Sequence, residues 1–455
     1  MKYKKSFYSI ITDKIPNTDT QIVFGTRTSR MISLQSKYVK LLENHKFDEI
    51  PNDILAELID GEIIVPEFVN ELQEVANLQK MHSRDISNGY FHFTIMSSAN
   101  CQLGCNYCGQ EHTNNFMNKN LIKSTLERME KNIIEKDVKE LHISWFGGEP
   151  LMGYSKMKEL NKGVKELTKK HNCKYSSHLI SNGLSLKKKV YLELANDFNC
   201  EYIDITLDGT KEYHDKRRDT KKHNPTFDII LNNIIEITSV ENFPVNGCKI
   251  SIRCNVDDSN SESVIPLIEL LAEHGLQDKV YFYTAAIYSW GNDAHLSITK
   301  EDYAVKEIDY FLKLYELGFL VKPIPSVRHE VCAAVSPNYE LIDPFGRVYN
   351  CTETPLVPAY GKEMILGNLN KDIHKITQFE DRPYVNWHEE IKDSSNGFWC
   401  SGCNILPLCG GRCPKSWKDG IPACPSMKFN MEDRLMLANY VLQNERAKSS
   451  QIEVD

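Results

Sequence analysis

The alternation of strand-like and helical segments between residues 90 and 290 constrains the fold of this chain more than any other feature. Six short apolar and β-branched runs predict strands: FHFTIMSS, ELHISWFGG, SSHLISNG, EYIDITLDG, KISIRCNV and KVYFYTAA. Segments between them, such as LIKSTLERMEKNIIEKD, repeat apolar residues at intervals of three and four, which predicts helices. Repeated strand–helix units form parallel sheets. Because six units are too few for a closed eight-stranded barrel, we expect an α/β fold with a partial (β/α)6 TIM-like barrel.

The regions on either side of this barrel have different patterns. Residues 1–85 combine the short strand-like runs SFYSII, TQIVFG and RMISL with helical stretches, which predicts a separate α+β module. Residues 291–331 include the helical segment KEDYAVKEIDYFLKLYELG and are expected to bridge to the next region. Residues 332–455 are rich in cysteine, glycine and proline and poor in long periodic elements, which is typical of a region that folds around metal. The barrel itself is placed at 90–290.

Composition excludes several classes of protein. The 54 basic and 62 acidic residues give a net charge of -8, which argues against a general nucleic-acid or anionic-membrane binder. No apolar run is long enough to cross a membrane, and the N-terminus lacks the apolar core of a secretory signal. We therefore expect a cytoplasmic protein with no membrane or nucleic-acid partner. In such a chain, 14 cysteines in short-spaced groups favour metal ligation over disulfides.

The stretch CQLGCNYCGQ contains three closely spaced cysteines, Cys101, Cys105 and Cys108. We call them the barrel-loop cysteines. They follow the first predicted strand, so they lie on a loop at its carboxyl end, where α/β folds place their chemistry. Three thiolates can hold an iron-sulfur cluster and leave one iron free to bind a substrate or cofactor.

A second set of cysteines lies near the C-terminus. Its members are Cys400, Cys403, Cys409 and Cys413 in CSGCNILPLCGGRC, then Cys424, with Cys332 and Cys351 upstream. Iron-sulfur ligation is the favoured interpretation, and structural zinc is the alternative for such tight spacing. The scattered cysteines are expected to be small buried hydrophobes: Cys173, Cys200, Cys248 and Cys254.

Polar residues follow the later strands of the predicted barrel. The second strand ends in WFGGEPL, which contains Gly147, Gly148 and Glu149. The third strand ends with Ser181, Asn182 and Gly183, and the fourth ends with Asp208 and Gly209. The fifth strand carries Arg253 and Asn255. Glycines let the backbone approach a ligand closely, and a carboxylate beside them can pair with an amine. A tight turn with a solvated glutamate is the alternative interpretation of GGEP.

These motifs together resemble the radical S-adenosylmethionine (radical SAM) superfamily, and the seven C-terminal cysteines resemble its SPASM extension. The resemblance covers residues 90–425. It implies that the barrel-loop cysteines hold a [4Fe-4S] cluster whose fourth iron binds the amine and carboxylate of S-adenosylmethionine. An electron donor such as flavodoxin or ferredoxin would reduce the cluster, and cleavage of the sulfonium would give a 5'-deoxyadenosyl radical that abstracts a substrate hydrogen.

The resemblance also implies roles for single residues. Glu149 and the backbone of Gly147 and Gly148 would hold the methionyl amine of S-adenosylmethionine. Ser181 and Asn182 would contact its ribose or carboxylate, and Arg253 would reach the carboxylate. Asp208 would support the end of the sheet, and Tyr107 would pack near the adenine. Simple loop packing is the alternative for Tyr107. The segment HDKRR, residues 214–218, also recurs in relatives, but we expect a solvated loop there.

In the SPASM region the resemblance implies two further [4Fe-4S] clusters, which makes three in all. One cluster would be held by Cys400, Cys403, Cys409 and Cys424, which we call the C-terminal cysteine group. The other would be held by Cys332, Cys351 and Cys413, which we call the three-cysteine group. Some relatives have a further cysteine six residues before Cys332, where this chain has Ser326. The fourth iron of that cluster is therefore expected to be open, or bound by a group such as His329 or a substrate thiolate.

The N-terminal module resembles the winged-helix-like peptide-recognition element of maturases that act on ribosomally made peptides (RiPPs). The resemblance implies that a leader peptide adds as a strand at TQIVFG or RMISL, which would tether the precursor near the barrel. A capping domain without a ligand is the alternative.

The function expected from all these features is a radical SAM peptide maturase that installs a thioether, C–C or C–O cross-link. The first alternative is an anaerobic sulfatase-maturating enzyme that forms formylglycine. In that family an aspartate directly follows the equivalent of Cys351, whereas Thr352 and Glu353 follow it here. The second alternative is a non-enzymatic iron-sulfur electron-transfer or binding protein, which the open cluster site and the polar strand ends disfavour. The sequence leaves open the precursor, the bond formed, epimerisation instead of cross-linking, and the catalytic base.

Overall fold

The computed structural model describes residues 2–85, 89–287 and 297–452. The N-terminal module consists of strands β1 (Tyr3–Lys5), β2 (Ser9–Lys14), β3 (Thr20–Gly25), β4 (Arg30–Gln35) and β5 (Ile64–Pro66), and helices α1 (Ser36–Glu43), α2 (Asn52–Asp60) and α3 (Glu71–Asp85). β2, β3 and β4 form an antiparallel sheet in that order, and β1 pairs with β5. The three strand-like runs expected in this region overlap β2, β3 and β4.

The order of this small sheet decides where another strand could join it. β3, the TQIVFG strand, lies in the middle and pairs with a strand on each side. The prediction that a leader peptide adds as a strand at TQIVFG is therefore wrong. β4, the RMISL strand, is at an edge, with a strand partner on one side only within the described residues. Its Ile32 and Leu34 side chains are buried whereas Arg30 and Ser33 are exposed, so the register of β4 in the sheet is fixed by its apolar face.

All six strands expected between residues 90 and 290 are present and parallel. They are β6 (Tyr90–Met96), β7 (Glu140–Phe146), β8 (Lys174–Ser181), β9 (Cys200–Thr206), β10 (Lys249–Val256) and β11 (Val280–Ala286), each paired with the next. The helices that follow them are α4 (Lys119–Glu135), α5 (Tyr154–Lys170), α6 (Lys188–Asp197), α7 (Lys211–Arg217), α8 (Phe227–Thr238), α9 (Val264–Glu273) and α10 (Lys300–Glu316). The expected boundary between barrel and bridge, at residues 290 and 291, lies outside the described residues.

The sequence of α4 shows how each helix joins the sheet. The Asn118 side chain caps its first turn by accepting a hydrogen bond from the backbone N–H of Leu121 at 2.9 Å. Leu121, Met129 and Ile133 then fall on one buried face, which packs in the same core as the strands. Strand β7 is buried along nearly its whole length, as expected of a parallel strand covered on both faces.

A hydrogen-bonded histidine network crosses β6, β7 and β8. His92 Nε2 lies 2.6 Å from Ser144 Oγ, and His142 Nε2 lies 2.7 Å from His178 Nδ1. Burial lowers the pKa of His142 to about 4 and that of His178 to about 3. These imidazoles are therefore neutral at pH 7, and they occupy the sheet without bringing positive charge into it.

The sheet continues beyond the six expected strands. β12 (Tyr339–Ile342) pairs parallel with β6, and β13 (Arg347–Tyr349) and β14 (Gly367–Asn368) extend the sheet to nine strands. The expected division at residue 332 missed this extension, because strands of two to four residues show too few alternations to be recognised. β12 covers the edge of β6 that would otherwise be open.

The C-terminal region contains helices α11 (Trp387–Glu390), α12 (Leu406–Cys409), α13 (Pro414–Lys418) and the 26-residue α14 (Met427–Ile452). The last of these was not expected, since the region was described as poor in long periodic elements. Helix α14 packs against α10 and β2. Every helix in the described part of the chain is too short or too polar to span a bilayer.

Candidate functional site

The barrel-loop cysteines follow β6, and their loop is held in place from the far side by residues 217–221. Backbone N–H groups of Gly104 and Asn106 donate to the carbonyls of Asp219 and Arg217 at 2.9 and 3.1 Å. All three thiols are free, and Cys101 is buried. Burial raises the pKa of Cys101 to about 12 and that of Cys105 to about 11. Positive charge, such as that of bound iron, is needed to hold these sulfurs as thiolates.

The glycine turn after β7 lies directly against this loop. A Cβ atom on Gly147 would come within 2.8 Å of the Ser98 carbonyl oxygen, and one on Gly148 within 2.7 Å of the Asn100 carbonyl oxygen. Gly147 also has a φ of +132°, which side chains disfavour. The backbone N–H of Glu149 donates to the Asn100 carbonyl at 2.8 Å. Only glycine allows the turn to pack this closely against the cysteine loop.

The Glu149 side chain is buried, with 1% of its surface exposed, so the alternative of a solvated glutamate is wrong. Its Oε1 accepts hydrogen bonds from Leu151 N–H at 3.0 Å and the Ser181 hydroxyl at 2.9 Å, and its Oε2 accepts one from Asn182 N–H at 2.7 Å. Burial raises the pKa of Glu149, and the three hydrogen bonds oppose that shift. A cationic amine beside it would compensate the buried negative charge.

Ser181 and Asn182 connect Glu149 to the cysteine loop. The Ser181 hydroxyl also accepts a hydrogen bond from Gly183 N–H at 3.1 Å, so it orients the Glu149 carboxylate. The Asn182 amide Nδ2 lies 3.7 Å from Cys101 Sγ. Four predicted site residues from three strand ends therefore converge, with Glu149 at the centre. Whether they contact S-adenosylmethionine stays a prediction.

Tyr107, on the cysteine loop, lies in a buried polar network. Its hydroxyl donates to Asp208 Oδ2 at 2.5 Å and accepts hydrogen bonds from Arg218 and from Asn255 Nδ2, the latter at 3.1 Å. Asp208 Oδ1 accepts from Asn255 N–H at 2.8 Å. Asp208 thus ties the ends of β9 and β10 to the cysteine loop, and Arg253 Nε donates to Asn255 Oδ1 at 2.8 Å beside it.

The expectation of a solvated loop at residues 214–218 is wrong for three of its members. His214, Arg217 and Arg218 are buried. Arg217 pairs with Asp257, and Arg218 lies 3.8 Å from Asp208. Charged runs are normally solvated, and these are buried because carboxylates distant in sequence neutralise them. The sequence did contain one signal of this burial: these residues, like the other site residues, follow the end of a strand.

The four cysteines of the C-terminal cysteine group line one small cavity. Gly411 N–H donates to Cys409 Sγ at 3.4 Å. Among the described residues, no three His, Cys, Asp or Glu side chains are arranged to hold a single metal ion. Zinc at about 2.3 Å from each sulfur would draw four thiolates to within about 4 Å of one another. Whether this group binds an iron-sulfur cluster or zinc stays a prediction.

The three-cysteine group lies beside the carboxyl of Glu353. Burial, with smaller contributions from the nearby Cys413 and Glu353, raises the pKa of Cys332 to about 11. The His329 ring, suggested as a fourth ligand, stacks on His82 of α3 with ring centroids 4.3 Å apart. Whether the fourth iron is open, or bound by His329 or a substrate thiolate, stays a prediction. Glu353 was not considered as a neighbour of these sulfurs from sequence, because its side-chain direction depends on the loop conformation.

The four scattered cysteines are all buried in the barrel core, which confirms their interpretation as small hydrophobes: Cys173, Cys200, Cys248 and Cys254.

Comparison with known proteins gives consistent matches. The family model for the radical SAM superfamily matches residues 95–286. The radical SAM cyclopropyl synthase TigE of Paramaledivibacter caminithermalis is 21% identical over 391 residues, which are 80% of this chain and 76% of TigE. A serine-type anaerobic sulfatase-maturating enzyme of Bacteroides thetaiotaomicron is 22% identical over 356 residues, 70% of this chain and 80% of the enzyme.

Among solved structures, Streptococcus suis SuiB bound to the precursor peptide SuiA is similar in fold. The TM-score is 0.50 at 15% identity, and the match covers 93% of this chain and 98% of SuiB. The likeness therefore extends well beyond the barrel.

Proposed function

Because residues 95–286 are a radical SAM domain, we propose that this chain is a peptide maturase that abstracts a hydrogen from a ribosomally made precursor and installs a thioether, C–C or C–O cross-link. The observation that carries the proposal is the convergence of Glu149, Asn182 and Cys101 at the carboxyl ends of the barrel strands. Such an arrangement fits a ligand that has both a cationic amine and a group that binds iron.

We propose that the chain holds three [4Fe-4S] clusters and S-adenosylmethionine. The barrel-loop cysteines would hold the first cluster, and the C-terminal and three-cysteine groups would hold the auxiliary clusters. When bound, the first cluster and S-adenosylmethionine supply a radical that can remove an unactivated hydrogen.

The chain's own residues bind and orient the cofactor. In the proposed site, Glu149 and the backbone of Gly147 and Gly148 hold the methionyl amine. Ser181 orients the Glu149 carboxylate. The buried Asp208, hydrogen-bonded to the Tyr107 hydroxyl, helps to keep water away from this edge of the barrel.

The precursor would bind through the N-terminal module. β4 is the edge at which a leader peptide can add as a strand, and the fold likeness to SuiB, a protein solved with a precursor peptide, supports this role. TigE, whose name specifies cyclopropyl synthesis, favours carbon–carbon bond formation within the class. An external donor such as flavodoxin or ferredoxin stays a prediction.

The second candidate is formylglycine formation, as in the sulfatase-maturating relative. The observation that favours it is the carboxyl of Glu353, which lies beside the three-cysteine group. That carboxyl lies one position later than the aspartate of the sulfatase-maturating family, so we rank cross-linking first. A cross-link removes two hydrogens, and formylglycine formation from cysteine is distinguished by mass because it also replaces sulfur with oxygen. Formylglycine formed from serine likewise loses only two hydrogens, so its aldehyde is detected by reaction with a hydrazide, which a cross-link does not undergo.

The first experiment needs no precursor. Protein reconstituted without oxygen should contain about twelve irons and cleave S-adenosylmethionine when reduced. The variant with Cys101, Cys105 and Cys108 all changed to alanine should fall to about eight irons and lose cleavage. Cleavage that survives in this variant, or zinc in place of iron, would refute the proposal.

A further inference from the structure

Two side chains donate to the sulfur of Cys424 in the C-terminal cysteine group. The Trp399 indole Nε1–H donates to Cys424 Sγ at 3.3 Å, and the Lys428 ammonium lies 3.8 Å from the same sulfur. The ammonium also lies 4.9 Å from the centroid of the Trp399 ring. The indole is 45% exposed while Cys424 is buried, so the sulfur is in contact with a residue that reaches the surface.

Both contacts bring positive charge or a positive dipole to a ligand sulfur. A cluster that accepts an electron gains negative charge, part of which resides on its cysteine sulfurs. An N–H donor and an ammonium stabilise this reduced form more than the oxidised form, so they raise the reduction potential. The three-cysteine group has the cations of Arg328 and Lys415 nearby, but the carboxyl of Glu353 lies beside it as well and opposes their effect.

We propose that Trp399 and Lys428 are positioning residues that make the cluster of the C-terminal cysteine group the more readily reduced of the two auxiliary clusters. This inference rests on the proposed function in one respect, namely that both cysteine groups bind clusters. It adds a direction of electron movement. One electron would pass from the reduced cluster of the three-cysteine group to the oxidised cluster beside Trp399. The transfer oxidises the first cluster and reduces the second.

The chain offers a matched control for the indole contact. Trp417 packs edge-to-face on Trp399 with ring centroids 5.0 Å apart, but its Nε1–H donates to the Gly411 carbonyl at 2.8 Å. Trp417→Phe therefore removes an indole N–H from the same aromatic cluster without removing a donor from Cys424. Lys428→Met removes the charge, and Lys428→Arg keeps it.

The experiment is a redox titration followed by electron paramagnetic resonance on the full chain. The barrel-loop cysteines are changed to alanine in every sample, so that only the auxiliary clusters give signals, and iron is counted in each. We expect two midpoints in this background. Trp399→Phe and Lys428→Met should each lower the higher midpoint by about 59 mV, which is a tenfold change in the ratio of reduced to oxidised cluster for one electron. Lys428→Arg and Trp417→Phe should leave it in place.

The outcomes separate this inference from the proposed function. About eight irons with unchanged midpoints in both Trp399→Phe and Lys428→Met would overturn the role of these two residues and leave the cluster assignment intact. A shift of the lower midpoint alone would also overturn it. Loss of iron from the background variant itself would overturn the cluster assignment and this inference with it. If Trp399→Phe does not fold, Lys428→Met against Lys428→Arg decides the question.

Discussion

Replacement of Glu149 by glutamine tests the proposed cofactor site most directly. Glutamine has the same shape, but only one of its two terminal atoms can accept a hydrogen bond. If its oxygen keeps the bonds from Leu151 N–H and the Ser181 hydroxyl, its NH₂ group faces the N–H of Asn182, which then loses its acceptor. The negative charge that would pair with the methionyl amine is lost as well.

The size of the effect follows from the interactions removed. A hydrogen bond to a charged group is worth about 1.5–3 kcal/mol, which corresponds to roughly 10- to 150-fold in affinity. We therefore expect Glu149→Gln to bind S-adenosylmethionine about 10- to 150-fold more weakly. Ser181→Ala removes one neutral donor and should weaken binding by about 2- to 10-fold.

The assay is equilibrium dialysis of S-adenosylmethionine against reconstituted protein of equal iron content. Glu111→Gln is the matched control, because Glu111 lies on the neighbouring cysteine loop but is exposed. A change of less than about twofold in Glu149→Gln, with iron unchanged, would refute the assignment of the amine site. Weaker binding that simply follows loss of iron would refute it too, because the carboxylate would then support only the cysteine loop.

Three further predictions concern stability and metal retention. Glu340→Gln leaves the buried guanidinium of Arg128 without its 3.0 Å carboxylate partner, so urea unfolding should show a loss of about 3–5 kcal/mol. His142 and His178 have pKa values below that of the unfolded chain, so the native state binds fewer protons and stability falls as the pH drops below about 6.5. Urea unfolding at pH 5.5 should show about 1.4 kcal/mol lost per histidine relative to pH 7.5, and His142→Gln should remove its share. Gly148→Ala places a methyl group 2.7 Å from a carbonyl oxygen of the cysteine loop, so iron analysis should show fewer irons retained.

The parallel strands and the cysteine loop could be predicted from sequence because their signals are local. The run EYIDITLDG contains its own apolar stretch and its own polar end, and the observed strand Cys200–Thr206 has all but its first residue within this run. The same holds for the cysteine spacing, which depends only on neighbours in the chain. The predicted site residues lie close together because parallel strands bring all their carboxyl ends to one edge.

Features that depend on distant partners could not be predicted. The burial of Arg217 follows from its pair with Asp257, forty residues later in the chain, and a run of charges gives no sign of such a partner. The central position of β3 depends on the order of pairing, which strand-like patterns do not contain. The contact of Trp399 with Cys424 likewise arises only once a loop of 25 residues has folded back on itself.

The attachment of the N-terminal module constrains how a precursor could reach the barrel. The Thr26 hydroxyl donates to the carbonyl of Asn404, next to Cys403, at 2.7 Å, and the Ser29 hydroxyl donates to the Pro325 carbonyl at 2.9 Å. Phe24 also shares one buried cluster with residues of the cysteine-rich region. A leader peptide on β4 would thus be held by a module fixed to the C-terminal region, not by one on a flexible linker. In the proposed function, the length of chain between leader and modified residue would then decide which residue reaches Glu149 and the cysteine loop, because the anchor itself does not move.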